Sequence, residues 1–499
     1  MFKLSKQKRT VVFTDLFSFF KMSLNKSVSM YLKTDGKDSI DVNLLNTDLT
    51  YWNDNLDDII NYCIKDCKLT NQLAEYFILH LLKSRIALPR YLVSAGSLAK
   101  TDFRFNCFIP NFDQVPKPII QIAYNCYYGG KFEIQKKGFF KNLWLYDINS
   151  QYPSFIINLP NLNLGVWKKV NNIPLSECLG YFLVNLDIPD YIYLSTICYK
   201  LKSNQILTVI GQIKNKWLTW YDLDLMRDFI TKIHFGTVFI PTKNYNEIPK
   251  EKIRYYYPFR ERILHHHKKK TRYKDNNEIM YSIHKLTMNS LYGSFIERHK
   301  DNNSVGLLFN PIYASQITAF GRWSVIKEID MKDWNIINAI HTDSIIVNTD
   351  ISNKLKIDNE LGNWSLEKKG KGIILNTGMY QIGYKNAVRG IPKKFIKNWL
   401  RFCLKYKEFE SYTFELDHMR KLSEGLVRDK SLVNVNTMVK DIKTVNCNSD
   451  KKRHWKDSFE NFDDLLSRNI DSLPYYANME KKDNKLDLNT NLFLNPNLV

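Results

Sequence analysis

The sequence predicts a mixed α/β (α+β) fold, and three observations carry that prediction. Segments of helical periodicity alternate with short strand-like runs. Two of those runs lead directly into an aspartate, Asp147 and Asp343. An apolar content of 44% with 14% aromatic residues describes a chain that buries sizeable cores.

The first hundred residues read as strand, loop and helices. "DDIINYCIKDCKLTNQLAEYFILHLLKS" has apolar residues at helical spacing, opens on acids and closes on Lys83. Turns and a short aromatic segment, "AYNCYYGGKFE", follow. "LWLYDI" is a strand and "NSQYPS" its turn, with Tyr152 expected in extended backbone because it precedes Pro153. Residues 160–245 combine Pro, Asn and short strand-like runs, as an inserted subdomain would. Residues 253–300 are helical and basic. "NAIHTDSIIV" is a β-hairpin with His341-Thr342-Asp343-Ser344 at its tip, so His341 and Asp343, two apart, are expected to face one space. The last hundred residues look helical, with an Asn-rich end.

Charge and cysteine usage narrow the class. Lys and Arg number 72 against 51 Asp and Glu, a net +21 that suits a polyanionic partner, although AT-rich codons also produce such an excess. The eight cysteines include no CxxC pair, which favours reduced thiols in an intracellular protein over a disulfide frame or zinc site. No apolar run approaches the roughly 18 residues of a membrane span, so no membrane partner is expected. His265, His266 and His267 fan out around a helix and are expected at the surface.

Two constellations carry chemistry. Asp147 closes a strand, where its carboxylate can hold a divalent cation and the Ile148 carbonyl can add an oxygen ligand. On the helix "KLTMNSLYGSF", Lys285, Asn289 and Tyr292 share one face, with Gly293 leaving room for a close approach. Lys285 can neutralise a phosphate and Tyr292 can stack a base or sugar, while Met288, Leu291 and Phe295 form the apolar stripe. Acid on a strand, basic helix and acid in a hairpin, in that order, are the minimum for in-line nucleotidyl transfer.

On these residues the chain resembles the family B DNA polymerases, above all the protein-primed branch of fungal mitochondrial linear plasmids. Asp147 to Ser154 match "DxxSLYPS", with Gln151 where leucine is usual. Lys285, Asn289, Ser290, Tyr292 and Gly293 match "KxxxNSxYG", and Thr342, Asp343 and Ser344 match the end of "YxDTDS". Tyr127, Gly129 and Gly130 match "YxGG"; Thr318, Gly321 and Arg322 match the DNA-contact motif "TxxGR"; Tyr62 and Asp66 match the third exonuclease motif, "YxxxD".

The resemblance implies a right-hand polymerase with palm, fingers and thumb behind a partial ribonuclease-H-like 3′–5′ exonuclease domain. The expected segments are an exonuclease-like domain at 1–125, the palm start at 126–252 with its insertion at about 160–245, fingers at 253–300, palm at 301–395, and thumb and tail at 396–499. It implies that Asp147 and Asp343, with the Ile148 carbonyl, hold two Mg²⁺ or Mn²⁺, and that Tyr152 gates against ribose. Lys285, Asn289, Tyr292 and Gly293 would serve the dNTP. Tyr127, Gly129, Gly130, Ser150, Thr318, Gly321, Arg322, Thr342, Ser344 and Tyr380 would serve template-primer DNA. A terminal protein as primer and a mitochondrial location are further implications.

Several positions depart from the family pattern. The first two exonuclease motifs have no counterpart, so the chain is expected to be N-terminally truncated and without proofreading, and Asp15 is not a catalytic acid. The "KxY" primer grip appears as Gly378-Met379-Tyr380, and His341 stands where aspartate is usual. Imidazole suits transition metals better than Mg²⁺, so His341 is expected to weaken Mg²⁺ loading and favour Mn²⁺. The competing reading is a decayed remnant of such an element that binds nucleic acid without catalysis.

Overall fold

The computed structural model describes residues 2–6, 9–13, 16–20, 22–34, 40–41, 44–45, 48–92, 94–201, 205–275, 277–298, 304–405, 412–419, 438–446 and 448–477. Asp15, Cys447 and the Asn-rich C-terminal stretch lie outside them. The chain is mixed α/β, as its patterning predicts, and divides into two compact units. One gathers residues 1–116, 152–166 and 240–314, the other 117–151, 167–239 and 315–499. No helix among the described residues is long and apolar enough to cross a membrane.

The second unit is built on a nine-stranded sheet. Its strands are β1 (Phe132–Ile134), β2 (Lys136–Ile148), β3 (Ile337–His341), β4 (Ser344–Val347), β5 (Trp364–Asn376), β6 (Met379–Ile382), β7 (Lys385–Val388), β8 (His454–Trp455) and β9 (Asn469–Leu473). The order is β7-β6-β5-β2-β4-β3-β1, with β9 paired to the start of β2 and to β8, and every pairing is antiparallel. β2 is central because both its edges are taken, and Leu143, Leu145, Tyr146 and Ile148 along it are all buried. Gly138 has φ +129°, and a Cβ there would meet Arg468 O at 2.8 Å, so only glycine lets β9 cross at this point.

Residues 165–241 form a second sheet, with long strands Gly180–Ile188, Ile206–Thr219 and Ile230–Pro241, and Tyr475–Tyr476 adds to Val209–Ile210 in parallel. Most of this sheet belongs to the same compact unit as β1–β9, tied in by side chains such as Thr208, whose hydroxyl donates to buried Glu133 at 2.9 Å. Of the last hundred residues, the described part is not predominantly helical. It is mostly strands, including the ribbon Tyr412–Met419 with Met438–Val445. "YTFEL" alternates with a period of two, which suits a pleated strand.

The first unit is helical. Helix α1 (Leu56–Lys83) buries Ile59, Leu69, Leu73, Phe77 and Leu81, and carries Asp57 and Asp58 in its first turn and Lys83 in its last, complementing its dipole. Helix α2 (Ala95–Asn106) is capped reciprocally by Ser94 and Ser97. Helices α3 (Arg260–Tyr273) and α4 (Glu278–Ser294) pack on each other and α4 packs on α2.

His266 and His284 are fully buried, which overturns the surface reading of the histidine run for its middle member; His267 is also buried, at 9% exposure. His266 Nε2 lies 2.9 Å from Asp102 Oδ2 and its Nδ1 lies 2.9 Å from His284 Nδ1, while Arg262 Nε donates to Asp102 at 2.7 Å. The reason is tertiary: a carboxylate on α2 supplies the partner that lets an imidazole leave water.

Candidate active site

Asp147 is the penultimate residue of β2, and Asp343 lies in the two-residue loop between β3 and β4. The register places Ser344 opposite Asp147, and the Ile148 N–H donates to the Asp343 carbonyl at 2.8 Å. The two acids therefore sit at the same end of adjacent strands, Asp147 half-buried and Asp343 exposed. On the other side of β2, Ser365 lies opposite Asp147 and its hydroxyl donates to the Asp147 carbonyl at 3.3 Å.

Both acids are flanked by left-handed backbone that disfavours L side chains: Ser150 has φ +51° and Thr342 φ +65°. A β-branched residue in that region costs on the order of 1–3 kcal/mol. The loop is held regardless, because the Thr342 N–H donates to Lys131 O at 2.7 Å and the Asp343 N–H to His341 O at 2.8 Å.

The convergence of the acids is registered by a third side chain. Tyr380, on β6, is 8% exposed, and its phenol is pushed up to about 12, first by burial and then by the negative charge of Asp147 and Asp343. Lys385 on β7 feels Asp147 too: burial pulls its pKa down while Asp147 opposes the shift, and it forms an ion pair with Glu367.

His341 is packed between other rings, where the spacing predicts that it shares one space with Asp343. Its ring is 8% exposed, stacks on Tyr380 at 5.0 Å and 11°, and lies 5.1 Å from Phe132. Gly378 N–H donates to its Nε2 at 3.4 Å, so that nitrogen has a partner already. Burial first, then Arg389 and Lys452, lower its pKa to about 4, so it is neutral at physiological pH. The two-residue period fails here because the chain turns between 341 and 343.

The donor set fits a hard divalent cation. Two carboxylates and the carbonyl of Ile148 offer oxygen only, and no cluster of three His, Cys, Asp or Glu side chains that could hold a metal exists among the described residues. A cation here would complete its shell with water and substrate oxygens, as Mg²⁺ in phosphoryl-transfer sites does.

In the first unit, α4 presents the face that its spacing predicts. Lys285, Asn289 and Gly293 are exposed, Tyr292 is half-buried, and Met288 and Leu291 are fully buried with Phe295 at 1%. Open space surrounds the position a Gly293 Cβ would take. Tyr152 is not extended: residues Gln151–Ile156 are helical, with Pro153 in the first turn, where its missing N–H costs nothing. The Tyr152 ring lies 4.7 Å from that of Tyr292. Tyr62 and Asp66 lie one turn apart on α1, both half-buried.

The "TxxGR" residues have a different setting from the one expected. On helix α5 (Pro311–Ser324), Thr318 is fully buried and Arg322 is 1% exposed. Arg322 donates to Asp222 Oδ1 at 2.7 and 3.2 Å and to Gly129 O at 2.7 Å. A buried guanidinium committed to a carboxylate cannot also reach a phosphate. Arg322 instead holds the Tyr127–Gly130 segment, whose Tyr127, Gly129 and Gly130 remain half-exposed. Gly321 O accepts from the Gln151 amide at 3.0 Å, and Ser324 Oγ from the same amide at 2.9 Å, which gives the glutamine in place of leucine a structural task.

Sequence reasoning missed Asp222, Lys385, Arg389 and Lys452. A lysine shortly after the Tyr380 strand was a readable signal for Lys385; the others have none, since their partners are remote in sequence.

Comparison with known proteins supplies a family and a fold. The family model for DNA polymerase type B, organellar and viral, matches residues 50–307. A DNA polymerase of Acidianus bottle-shaped virus (isolate Italy/Pozzuoli) is 30% identical over 264 residues, 51% of this chain and 37% of the relative. A probable DNA polymerase of Ascobolus immersus is 27% identical over 412 residues, 70% of this chain and 32% of the relative. The chain thus spans about a third of the length of these curated relatives. Among solved structures, Phi29 DNA polymerase in an orthorhombic crystal form has TM-score 0.60 at 18% identity over 89% of this chain and 82% of that one. Phi29 DNA polymerase complexed with primer-template DNA has TM-score 0.59 at 18% identity, over 89% and 81%. The fold is therefore that of a right-hand polymerase with an exonuclease-like portion. With Asp147, Lys285 and Tyr292 inside a matched span of just over half its length, the chain belongs to the type B DNA polymerases of organelles and viruses.

Proposed function

We propose that this chain is a DNA-directed DNA polymerase that extends a DNA 3′ hydroxyl, or the hydroxyl of a terminal protein, with dNTPs and releases pyrophosphate. The observation that carries this reading is the convergence of Asp147 and Asp343, at the same end of adjacent strands, both acting on Tyr380. Two Mg²⁺ or Mn²⁺ held by Asp147, Asp343 and the Ile148 carbonyl would activate the attacking hydroxyl and neutralise charge on the leaving pyrophosphate. Lys285 neutralises the triphosphate, with Asn289 and the open Gly293 position beside it. Tyr152, braced on Tyr292, blocks a ribose hydroxyl. Tyr127, Gly129, Gly130, Ser150, Thr342, Ser344 and Tyr380 line the path of template and primer.

Proofreading is not part of this reading. Replication of a linear mitochondrial plasmid-type element is the role we infer, in keeping with an organellar and viral family.

Primer extension with Mg²⁺ and with Mn²⁺ tests the assignment. Asp147→Ala and Asp343→Ala should each abolish extension while leaving DNA affinity largely intact, because affinity comes from many phosphate contacts. Extension at wild-type rate by either variant overturns the site; no activity in the wild-type chain with either metal favours the binding-only remnant.

A further inference from the structure

Next to Tyr380, reached through the His341 and Phe132 rings, stands a cluster of opposite charge to the acids. Phe132, on β1, has the Arg389 guanidinium 4.6 Å and the Lys452 ammonium 5.3 Å from its ring centroid. Lys452 Nζ also donates to the Phe132 carbonyl at 2.6 Å. The stem of Arg389 fills the space a side chain at position 378 would need: a Cβ on Gly378, which has φ +74°, would lie 3.0 Å from Arg389 Cβ and 3.1 Å from its Cδ. The Arg389 N–H donates to Gly378 O at 3.2 Å, so backbone and side chain are both fixed at the β6–β7 hairpin. Arg389 is exposed and Lys452 half-exposed.

Two features mark this cluster as a site for a ligand instead of a closed ion-pair network. Neither Arg389 nor Lys452 has a carboxylate within 4.0 Å among the described residues, whereas Lys131 and Arg453 nearby both pair with Glu133. The buried His341 ring between Phe132 and Tyr380 also presents a donor without an acceptor. Its Nε2 accepts from Gly378, which leaves the proton on Nδ1, and buried Nδ1 has no hydrogen-bond partner. Two like charges held around one ring repel unless an anion joins them.

We propose that Arg389 and Lys452 form a phosphate subsite that takes a backbone phosphodiester of the DNA strand whose end lies at Asp147 and Asp343. The ring contacts from Tyr380 through His341 and Phe132 to Arg389 are short, so the phosphate lies no more than a few base steps from the acids, at ~3.4 Å rise each. The other source of the same chemistry is the triphosphate of the incoming nucleotide, which the experiment separates. The subsite rests on the polymerase reading for its direction along the strand, but not for its affinity for DNA.

The test uses the full chain with Arg389→Ala, Arg389→Lys, Lys452→Met and, as a control, Lys200→Ala. Fluorescence anisotropy of a primer-template gives Kd from about 50 to about 200 mM salt, and extension gives the KM for dNTP. Arg389→Ala should lower the slope of log Kd against log salt by about 0.9, so the affinity lost over that range shrinks by about threefold. Lys452→Met should act likewise, Arg389→Lys should restore the slope, and the dNTP KM should stay unchanged. An unchanged slope in Arg389→Ala overturns the proposal. So does an equal fall in Lys200→Ala, or a raised dNTP KM with an unchanged DNA slope. A slope lowered by Arg389→Ala, found together with a wild-type chain that extends nothing, supports the subsite while refuting the polymerase reading.

Discussion

Arg322 offers the sharpest separation between a residue that touches DNA and one that holds the fold. Replacing it with methionine keeps the apolar stem but removes three hydrogen bonds, two to Asp222 Oδ1 at 2.7 and 3.2 Å and one to Gly129 O at 2.7 Å. Asp222 is 1% exposed, and its other oxygen remains bound to the Thr219 hydroxyl at 2.8 Å, so the loss falls on Oδ1 alone. Removing one partner of a buried pair costs ~3–5 kcal/mol, chiefly because a charge is left without compensation. At ~2 °C per kcal/mol, the low end that suits a unit of nearly 300 residues, the melting temperature of the sheet unit should fall by about 6–10 °C. Adding Asp222→Asn, which keeps the Thr219 contacts and removes the charge, should recover much of that fall. Thermal unfolding measures both variants, and primer-template anisotropy across salt measures the alternative. If Arg322→Met melts within about 2 °C of the wild type while the salt slope drops by about 0.9, Arg322 is a phosphate contact and the reasoning from burial is wrong.

Three further outcomes follow from the geometry. Tyr152→Val, which removes the ring packed on Tyr292, should raise incorporation of rNTPs relative to dNTPs by about tenfold or more, read from extension with each nucleotide pool. His341→Phe preserves the stack on Tyr380 and should leave the ratio of Mg²⁺- to Mn²⁺-dependent rates unchanged; a large shift in that ratio would mean the imidazole reaches a metal after all. His284 is held down to about 3 from the usual 6.5, first by burial and then by His266, so its neutral form stabilises the fold above 6.5 and that stability is lost as pH falls toward 3. The helical unit should therefore melt lower at about pH 4.5 than at about pH 7, and His284→Leu should flatten that dependence; an unchanged dependence in the variant would remove His284 as its cause.

Much of the candidate site was legible from the chain alone. The strand into Asp147, the hairpin carrying Asp343 and the polar face of Lys285, Asn289 and Tyr292 are periodic features that record local backbone geometry. Their order along the chain was enough to suggest nucleotidyl transfer. What periodicity cannot report is the partner a side chain meets after the chain has folded. Arg322 reads as a cation for DNA until Asp222, 100 residues away, takes it, and Phe132 gains Lys452 from 320 residues away. His341 and Asp343 have the spacing of one strand face, but the turn between them sends the imidazole against Tyr380. His266 belongs to a run that looks solvated until Asp102 on another helix gives it a reason to be buried. Sequence determines which elements form and which chemistry they carry, because those depend on near neighbours. Tertiary structure alone decides which of the charged groups are spent on each other and which remain for a substrate, because burial and pairing depend on residues far apart in the chain.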